Sequence, residues 1–561
     1  MTDPAVPSGA PASADPFDRY DARVLDPATA VRQPGGPAPT TTVYRGDTLL
    51  VTGASRADVE RLNAVVTELA ARFDLTAVEP DAFTEIDIDN TDNADSAAGT
   101  DDAGGRESRG DERRLGRDVL AHNKLARLLG LAEQAGVPLV VPVRFRSSLA
   151  GPAPAVDVWP LLQAVRNLAD AELDRSVGLD HLMFAAASIS GNPFTRGTSV
   201  IGGNPFTRGT SVIGGNPFTR GTSAGVDQYL QGGSGGHGPV SVVLAPPRRH
   251  GKCSPHVVVM DTGVGAHPWF VAQPVQRRLL LSNGDDVGLD VDAPAVAATD
   301  PEAAGAIPDA LTGMLASHAG HGTFITGLLR QSCPDADITA LRVMGGDGVV
   351  AEDELTTAVT ALGVHLSQEP GSVDVLVLSL GYYVETAEDV HYTAGLEVLL
   401  LDLGQRGVMT FAAAGNDCTD RRSYPAAFAD HGGFTDPGCL PLVAVAALNP
   451  DSSVALFSND GPWVNGEAAG ANVVSTAPVL ASGAWSADTS LRGPNGQRRG
   501  TIDPDQFRGG FATWSGTSFA APVLAGKYLA KLVEAGCPDD PGMRRALAPS
   551  RAMGRWKTDS P

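Results

Sequence analysis

From about residue 240 the chain alternates short runs that are apolar at almost every position with segments of helical period. The strand-like runs are "HVVVMD" (256–261), "DITALRVM" (337–344), "VDVLVLSLG" (373–381), "VMTFAAAGN" (408–416) and "PLVAVAAL" (441–448). Between them lie "DELTTAVTALGVHLSQ" (353–368) and "AGLEVLLLDLGQRG" (394–407), with apolar residues at helical spacing. A strand that is apolar on both faces must be covered on both faces, and helices between consecutive strands allow those strands to run parallel. The pattern therefore predicts an α/β fold of three layers, helix–sheet–helix, with a mainly parallel sheet. Functional groups in such sheets collect at the C-terminal ends of the strands.

Polar residues stand at those ends. "VVVMDTGVGAHPWF" closes an apolar run at Asp261, and "HAGHGTFITGLL" sets His321 just before a helical pattern. "WSGTSFAAPVLAGKYLAKLVEA" sets Ser518 at the start of a small-residue helix, with Pro522 within its first turns. A serine hydroxyl becomes a nucleophile when a base takes its proton. An imidazole can do so near neutral pH when a carboxylate fixes its tautomer. Acyl transfer also needs donors where the oxyanion forms, and "FAAAGNDC" ends a strand at Asn416, a side-chain amide.

These segments closely resemble the subtilisin-like serine proteases. "VVMDTGV" resembles that family's Asp segment, "GHGTFITG" its His segment, "LSLG" its substrate-binding strand, "AAAGN" its oxyanion segment and "SGTSFAAP" its Ser segment. The chain order Asp–His–Ser is that of subtilisin itself. "SYPAAF" (423–428), "VAVAAL" (443–448) and "FSNDGP" (457–462) extend the likeness, which covers about 240–540. The resemblance implies a serine endopeptidase working through an acyl-enzyme. Asp261 would orient, His321 would act as base then acid, Ser518 would attack, and Asn416 would hold the oxyanion with the Ser518 N–H. It also implies that Ser379, Leu380 and Gly381 pair with an extended substrate backbone. Ala413, Ala414 and Gly415 would line the pocket for the residue before the cut, and Gly346, Asp347 and Gly348 would form the opposite substrate strand.

There are departures. Phe324 replaces a second histidine common in the His segment, and Ala469 stands where proline is frequent. Tyr382 follows "SLG" where a small residue is usual, which would narrow or close part of the cleft. "GDDVGLDVDAPAVAATDPEAAGAIPDA" (284–310) reads as an insertion near the cleft. In it Asp285, Asp286 and Asp290 read as a charged surface loop, with calcium the alternative. The chemistry requires no cofactor. His318 reads as a loop histidine rather than half of a metal pair, since no third ligand follows at useful spacing. His256 and His267 read as structural.

The first half carries no motif that can be tied to chemistry. Residues 1–42, rich in Pro, Ala and Asp, read as a disordered tail. Residues 43–188 read as a smaller α/β region, interrupted by the acidic low-complexity loop 85–114. This region is either propeptide-like or an adaptor. Three 12-residue units beginning "NPFTRGTS" at Asn192, Asn204 and Asn216 follow, within a linker spanning 189–239. They hold too little apolar area to stack as a solenoid. They read as an expanded tether, with a peptide the protein binds or cuts as the alternative. Their serines, Ser199, Ser211 and Ser223, share Gly-Thr-Ser with Ser518 but lack its preceding Ser-Gly and following apolar helix. Residues 541–561 read as a C-terminal tail.

A formal charge of −23 and a pI near 4.8 argue against nucleic-acid or anionic-membrane partners. The expected partner is a peptide or protein substrate. No apolar run approaches a membrane span, and "MTDPAVPSGAPASADPFDRY" lacks the apolar core of a signal peptide, so the expectation is a cytoplasmic protein. Five scattered cysteines then read as reduced thiols, with a Cys418–Cys439 bridge as the alternative. A second function class stays open beside the endopeptidase: a peptide-binding or regulatory module on the same fold, held inactive by its N-terminal half.

Overall fold

The computed structural model describes residues 16–32, 38–78, 82–85, 121–149, 155–168, 175–186, 236–242, 244–251, 253–289, 300, 302, 313–385, 394–486 and 489–549. The 12-residue repeats, Asp290 and most of the acidic loop 85–114 lie outside these residues.

In the N-terminal unit, strands β1 (Ala22–Val24), β2 (Val43–Gly53), β3 (Leu75–Ala77), β4 (Leu139–Ser147) and β5 (Val177–Ala185) form an antiparallel sheet. Helices Arg56–Ala70 and Trp159–Arg166 pack on it. The antiparallel pairing corrects the α/β expectation for this region. Its helices follow strands without a parallel crossover, which makes it α+β. The first helix begins at Ser55, whose side chain accepts from the Asp58 N–H, and buries Val59, Leu62, Val66 and Leu69 at helical spacing. Residues 16–32 are also ordered rather than a disordered tail. Arg19 pairs with Asp347 at 2.9 Å, Tyr20 donates to Glu354 at 2.8 Å, and β1 pairs with β2.

In the C-terminal unit, β7 (His256–Asp261), β8 (Asp337–Arg342), β10 (Val375–Leu378), β12 (Met409–Ala413), β13 (Leu442–Leu448) and β14 (Gly466–Ala469) form one parallel sheet in the order β14-β13-β12-β10-β7-β8. Both faces are covered, as the apolar runs require. Val258, Met260, Leu376, Leu378 and Ala412 point into a cluster shared with the N-terminal unit. Their neighbours Val257, Val259, Val375, Val377 and Phe411 point to the opposite side, against helices His321–Ser332 and Thr517–Glu534. Short strands β15 (Val473–Thr476), β18 (Phe511–Trp514) and β6 (Gly238–Pro239) form a small antiparallel sheet, and β16 (Ser490–Arg492) and β17 (Arg498–Gly500) an exposed hairpin. Residues 236–239, expected in the linker, thus belong to this unit. So does helix Pro541–Ala546, expected in the tail, whose Arg544 reaches buried Asp374.

The two units share one apolar cluster. Leu49, Val51 and Val140 of the N-terminal sheet meet Leu355, Val359, Leu396 and Leu400 of helices Glu352–Gln368 and Ala394–Gln405. The approach is close: a Cβ at Gly395 would sit 3.0 Å from Thr52 Oγ1 and 3.3 Å from Val140 Cγ1. Charges cross the interface as well. Arg45 reaches Asp353 at 2.9 Å, and Arg166 reaches Glu385 at 3.2 Å. The expected insertion is partly an interface element, because Asp285 pairs with Arg127 and Gly288 O accepts from Lys124.

The cysteines correct both sequence readings. Cys253, just before β7, is bonded to Cys537, just after helix Thr517–Glu534, while Cys418 is exposed and Cys439 is buried, both as free thiols. The partners lie 284 residues apart and meet because β7 starts on the side of the sheet where the helix Thr517–Glu534 ends. No helix among the described residues is long and apolar enough to cross a membrane.

Candidate active site

Asp261 ends β7, and His321 opens the helix His321–Ser332. The helix can come this close because residue 322 has no side chain: a Cβ there would lie 2.1 Å from Gly263 O. His321 Nδ1 donates to Asp261, 2.8 Å from Oδ1 and 3.0 Å from Oδ2. The Thr262 N–H donates to Asp261 Oδ1 at 2.7 Å, which helps to fix the carboxylate. His321 Nε2 has no hydrogen-bond partner among the described residues. The imidazole stands 5.4 Å, centre to centre, from Phe519, the residue after Ser518.

Ser518 lies in the first turn of helix Thr517–Glu534 and is fully buried. Its hydroxyl donates to Ser379 O at 3.0 Å, and the Ser379 hydroxyl donates to Ser518 O at 2.8 Å. Asn416 follows β12; its Oδ1 accepts from the Thr517 N–H and the Thr517 hydroxyl, both at 2.9 Å. That leaves its amide N–H to point into the site.

The cleft is occupied by the protein's own strand β5. It lies antiparallel between β9 (Val349–Ala351) and β11 (Leu380–Gly381), with Leu182 opposite Ala351, Phe184 opposite Val349 and Gly381, and Ala185 opposite Leu380. The Ala185 N–H donates to Gly348 O at 2.8 Å, and the Ala186 N–H donates to Ser379 O at 3.0 Å. At the end of this ladder Ala186 O accepts from the Asn416 amide and, at 3.3 Å, from the Ser518 N–H.

Ser379, Leu380 and Gly381 therefore pair with an extended backbone. On the opposite side only Gly348 of the expected triplet joins the ladder. Gly346 O accepts from the His318 N–H and Asp347 pairs with Arg19, so the pairing strand is Val349–Ala351. Ala413, Ala414 and Gly415 lead from β12 into Asn416. The Ala414 N–H bonds to Val445 O and the Gly415 N–H to Thr517 Oγ1, so this backbone is held by its neighbours rather than by β5. Tyr382 does not close the cleft. It is buried, its backbone pairs with Tyr424, and its hydroxyl donates to Glu352 Oε1 at 3.2 Å, which makes it a wall beside the strand.

Sequence reasoning missed two features. One is β5 itself, in "VGLDHLMFAAAS", an apolar run that ends in alanines just before the repeats. The other is Glu302, inside the supposed insertion. It is buried, hydrogen-bonded to Thr262 and, at 2.5 Å, to Thr323, so it lies one residue from Asp261. Burial pushes its carboxyl up to about 8, against the hydrogen bonds from Thr262 and Thr323 that favour ionisation. His318 packs against His321, and burial lowers it to about 3, with a further contribution from His321. His256 bonds to Ser372 O and Thr339, and His267 caps the helix Pro268–Ala272. Asp285 and Asp286 pair with arginines, and no group of three or more His, Cys, Asp or Glu among the described residues could hold a metal ion.

A model of the subtilase family matches residues 254–541. The chain is similar to a subtilisin of Bacillus sp. (strain TA39), 30% identical over 228 residues that cover 37% of this chain and 45% of that one. It is also similar to an intracellular serine protease of Paenibacillus polymyxa, 25% identical over 286 residues, covering 48% and 64%. The match thus spans about half the length of these relatives. A solved structure of a cold adapted subtilisin-like serine proteinase shares 19% identity over 57% of this chain and 88% of that one, with a TM-score of 0.33, too low to bear on the fold. With the family match extending over more than half its length, the chain belongs to the subtilase family.

Proposed function

We propose that this chain is a serine endopeptidase whose N-terminal unit fills its cleft as a built-in inhibitor and first substrate. The observation that carries the reading is the position of the Ala186 carbonyl oxygen, between the Asn416 amide and the Ser518 N–H, at the end of a strand paired on both sides. Two donors converging on one carbonyl beside a serine, with an Asp–His pair at hand, form an arrangement suited to stabilising a tetrahedral oxyanion.

In this mechanism the Ser518 hydroxyl turns from Ser379 O toward His321 Nε2, which has no competing partner among the described residues. Ser518 Oγ attacks the Ala186 carbonyl carbon as its proton passes to His321 Nε2. Asp261 stabilises the resulting imidazolium through Nδ1–H, and Asn416 and the Ser518 N–H hold the oxyanion. Collapse breaks the bond to the Ala187 nitrogen, which takes the proton from His321. Water, giving its proton to His321, then attacks the acyl carbon; collapse breaks the bond to Ser518 Oγ, which takes that proton back from His321, and the Ala186 carboxyl group is released. Each proton in this route is carried by His321, so the chemistry requires no cofactor.

The second reading, a peptide-binding module, is favoured by one observation: the Ser518 hydroxyl faces Ser379 rather than His321, beneath a filled cleft. Fluorophosphonate labelling of the full-length protein beside Ser518→Ala separates the two. Labelling of the full-length chain, or of Arg45→Met with its cleft opened, that is lost in Ser518→Ala supports the peptidase, and the absence of labelling in both folded forms supports the binding module.

A further inference from the structure

Counting back from Ala186, the fifth residue upstream is His181, and it is the charged anchor of the strand in the cleft. Its Nδ1 lies 2.7 Å from Glu352 Oε2 and its Nε2 lies 3.2 Å from Glu385 Oε2. Two carboxylates, one at each ring nitrogen, require both nitrogens to donate, which only the imidazolium can do. The ring also lies against Tyr382, with centres 4.7 Å apart, and the Tyr382 hydroxyl donates to the remaining oxygen of Glu352. All four side chains are almost completely buried.

The pocket belongs to the C-terminal unit: Glu352 opens helix Glu352–Gln368, Tyr382 follows β11, and Glu385 lies three residues further on. Its cations come from elsewhere. His181 is on β5, and Arg166, which reaches the other oxygen of Glu385 at 3.2 Å, is on helix Trp159–Arg166 of the N-terminal unit. When that unit leaves, both cations leave with it. Two carboxylates then face a fixed position along the substrate strand, under an aromatic wall. Burying these carboxylates again beneath a substrate strand is costly unless that strand brings a cation to face them.

Resting on the reading of β5 as the first substrate, we propose that Glu352, Glu385 and Tyr382 form a specificity subsite. It selects peptides carrying a cationic side chain five residues before the residue at the cut. The substrate class is a peptide with histidine, arginine or lysine at that place and a small residue, like Ala186, at the cut. The subsite reads charge far from the scissile bond, because the strand ladder from Leu182 to Ala186 holds the distance constant.

The test uses full-length protein and quenched fluorescent peptides of the sequence Asp-His-Leu-Met-Phe-Ala-Ala-Ala-Ser, that of residues 180–188, with His, Arg or Gln at the second place, beside fluorophosphonate labelling of Ser518. Any residual β5 in the cleft slows all three peptides equally, so their ratio survives. The expected kcat/KM for the His and Arg peptides is about 10- to 100-fold above the Gln peptide, and the ratio falls toward one in Glu352→Gln/Glu385→Gln. If the double variant fails to fold, the wild-type ratio still decides. Labelling with equal rates for all three peptides overturns the subsite and leaves the peptidase standing. No labelling and no cleavage by either the wild type or Arg45→Met, both folded, overturns both.

Discussion

Arg45 is the cation on which docking of the N-terminal unit should depend most. Its Nη1 lies 2.9 Å from Asp353 on the C-terminal unit and 3.3 Å from Asp180, two residues along β2's neighbour β5 from the unit's seat in the cleft. Asp180 is fully buried, and its carboxyl is held well above the usual range by burial and by Asp353, with Arg45 pulling the other way. Arg45→Met keeps most of the apolar stem and leaves the two carboxylates facing each other. Removing one partner of a buried pair costs about 3–5 kcal/mol. Protonation of Asp180 offsets part of this, so about 3 kcal/mol remains, roughly a hundredfold in the fraction of molecules with an open cleft. The assay is the rate of fluorophosphonate labelling of Ser518 in the full-length chain, variant over wild type. A carboxyl whose folded pKa is raised favours the folded state when protonated, and that contribution is lost as pH rises. The ratio should therefore be near a hundred at pH 8 and shrink toward pH 4. A ratio near one at pH 8 would refute the assignment of Arg45 as an anchor.

Asn416→Ala should lower kcat by roughly 10²–10³ with little change in KM; the magnitude is the one known for the oxyanion amide of subtilisin itself. Gly395→Leu should drive Thr52 and Val140 off helix Ala394–Gln405 and speed Ser518 labelling in full-length protein without touching the catalytic groups; unchanged labelling would sink it. Glu302→Gln should raise the melting temperature above pH 8 by an amount equivalent to a few kcal/mol, because the wild-type carboxyl, raised to about 8, must ionise there in a buried site. The two proteins should converge below the ordinary carboxylate range, and parallel stability curves would contradict this. Cys253→Ser should lose up to about 5 kcal/mol of stability by the loop-entropy estimate, measured by denaturant unfolding without reductant. Equal stability would show that the bond does not form.

The sequence made one half of the molecule far more legible than the other. "HVVVMD" and "VLVL" read as buried parallel strands because both faces are apolar, and the structure uses both faces, Val257 and Val259 on one side and Val258 and Met260 on the other. Asp261, His321, Asn416 and Ser518 converge because each ends a strand or opens a helix on the same rim of the sheet. Strand β5 was not legible for the opposite reason. Asp180 and His181 interrupt its apolar pattern, and their partners Asp353, Glu352 and Glu385 lie more than 170 residues away. A buried charge on a strand signals a partner without naming it. The Cys253–Cys537 bond and the place of Glu302 beside Asp261 likewise depend on distant chain segments meeting, which local spacing does not encode. The antiparallel pairing of the N-terminal sheet follows from the same limit, since β2 pairs with β4 and β5 across intervening helices.

The central claim is that Ser518 cuts the chain at the carbonyl now held by Asn416. The most direct measurement is N-terminal sequencing with intact mass on purified full-length wild type and Ser518→Ala after the same incubation. The account predicts a new N-terminus at Ala187 in the wild type and an uncut chain in Ser518→Ala. A cut at that bond in both proteins, or a wild-type cut at another site with the Ala186–Ala187 bond intact, would contradict it.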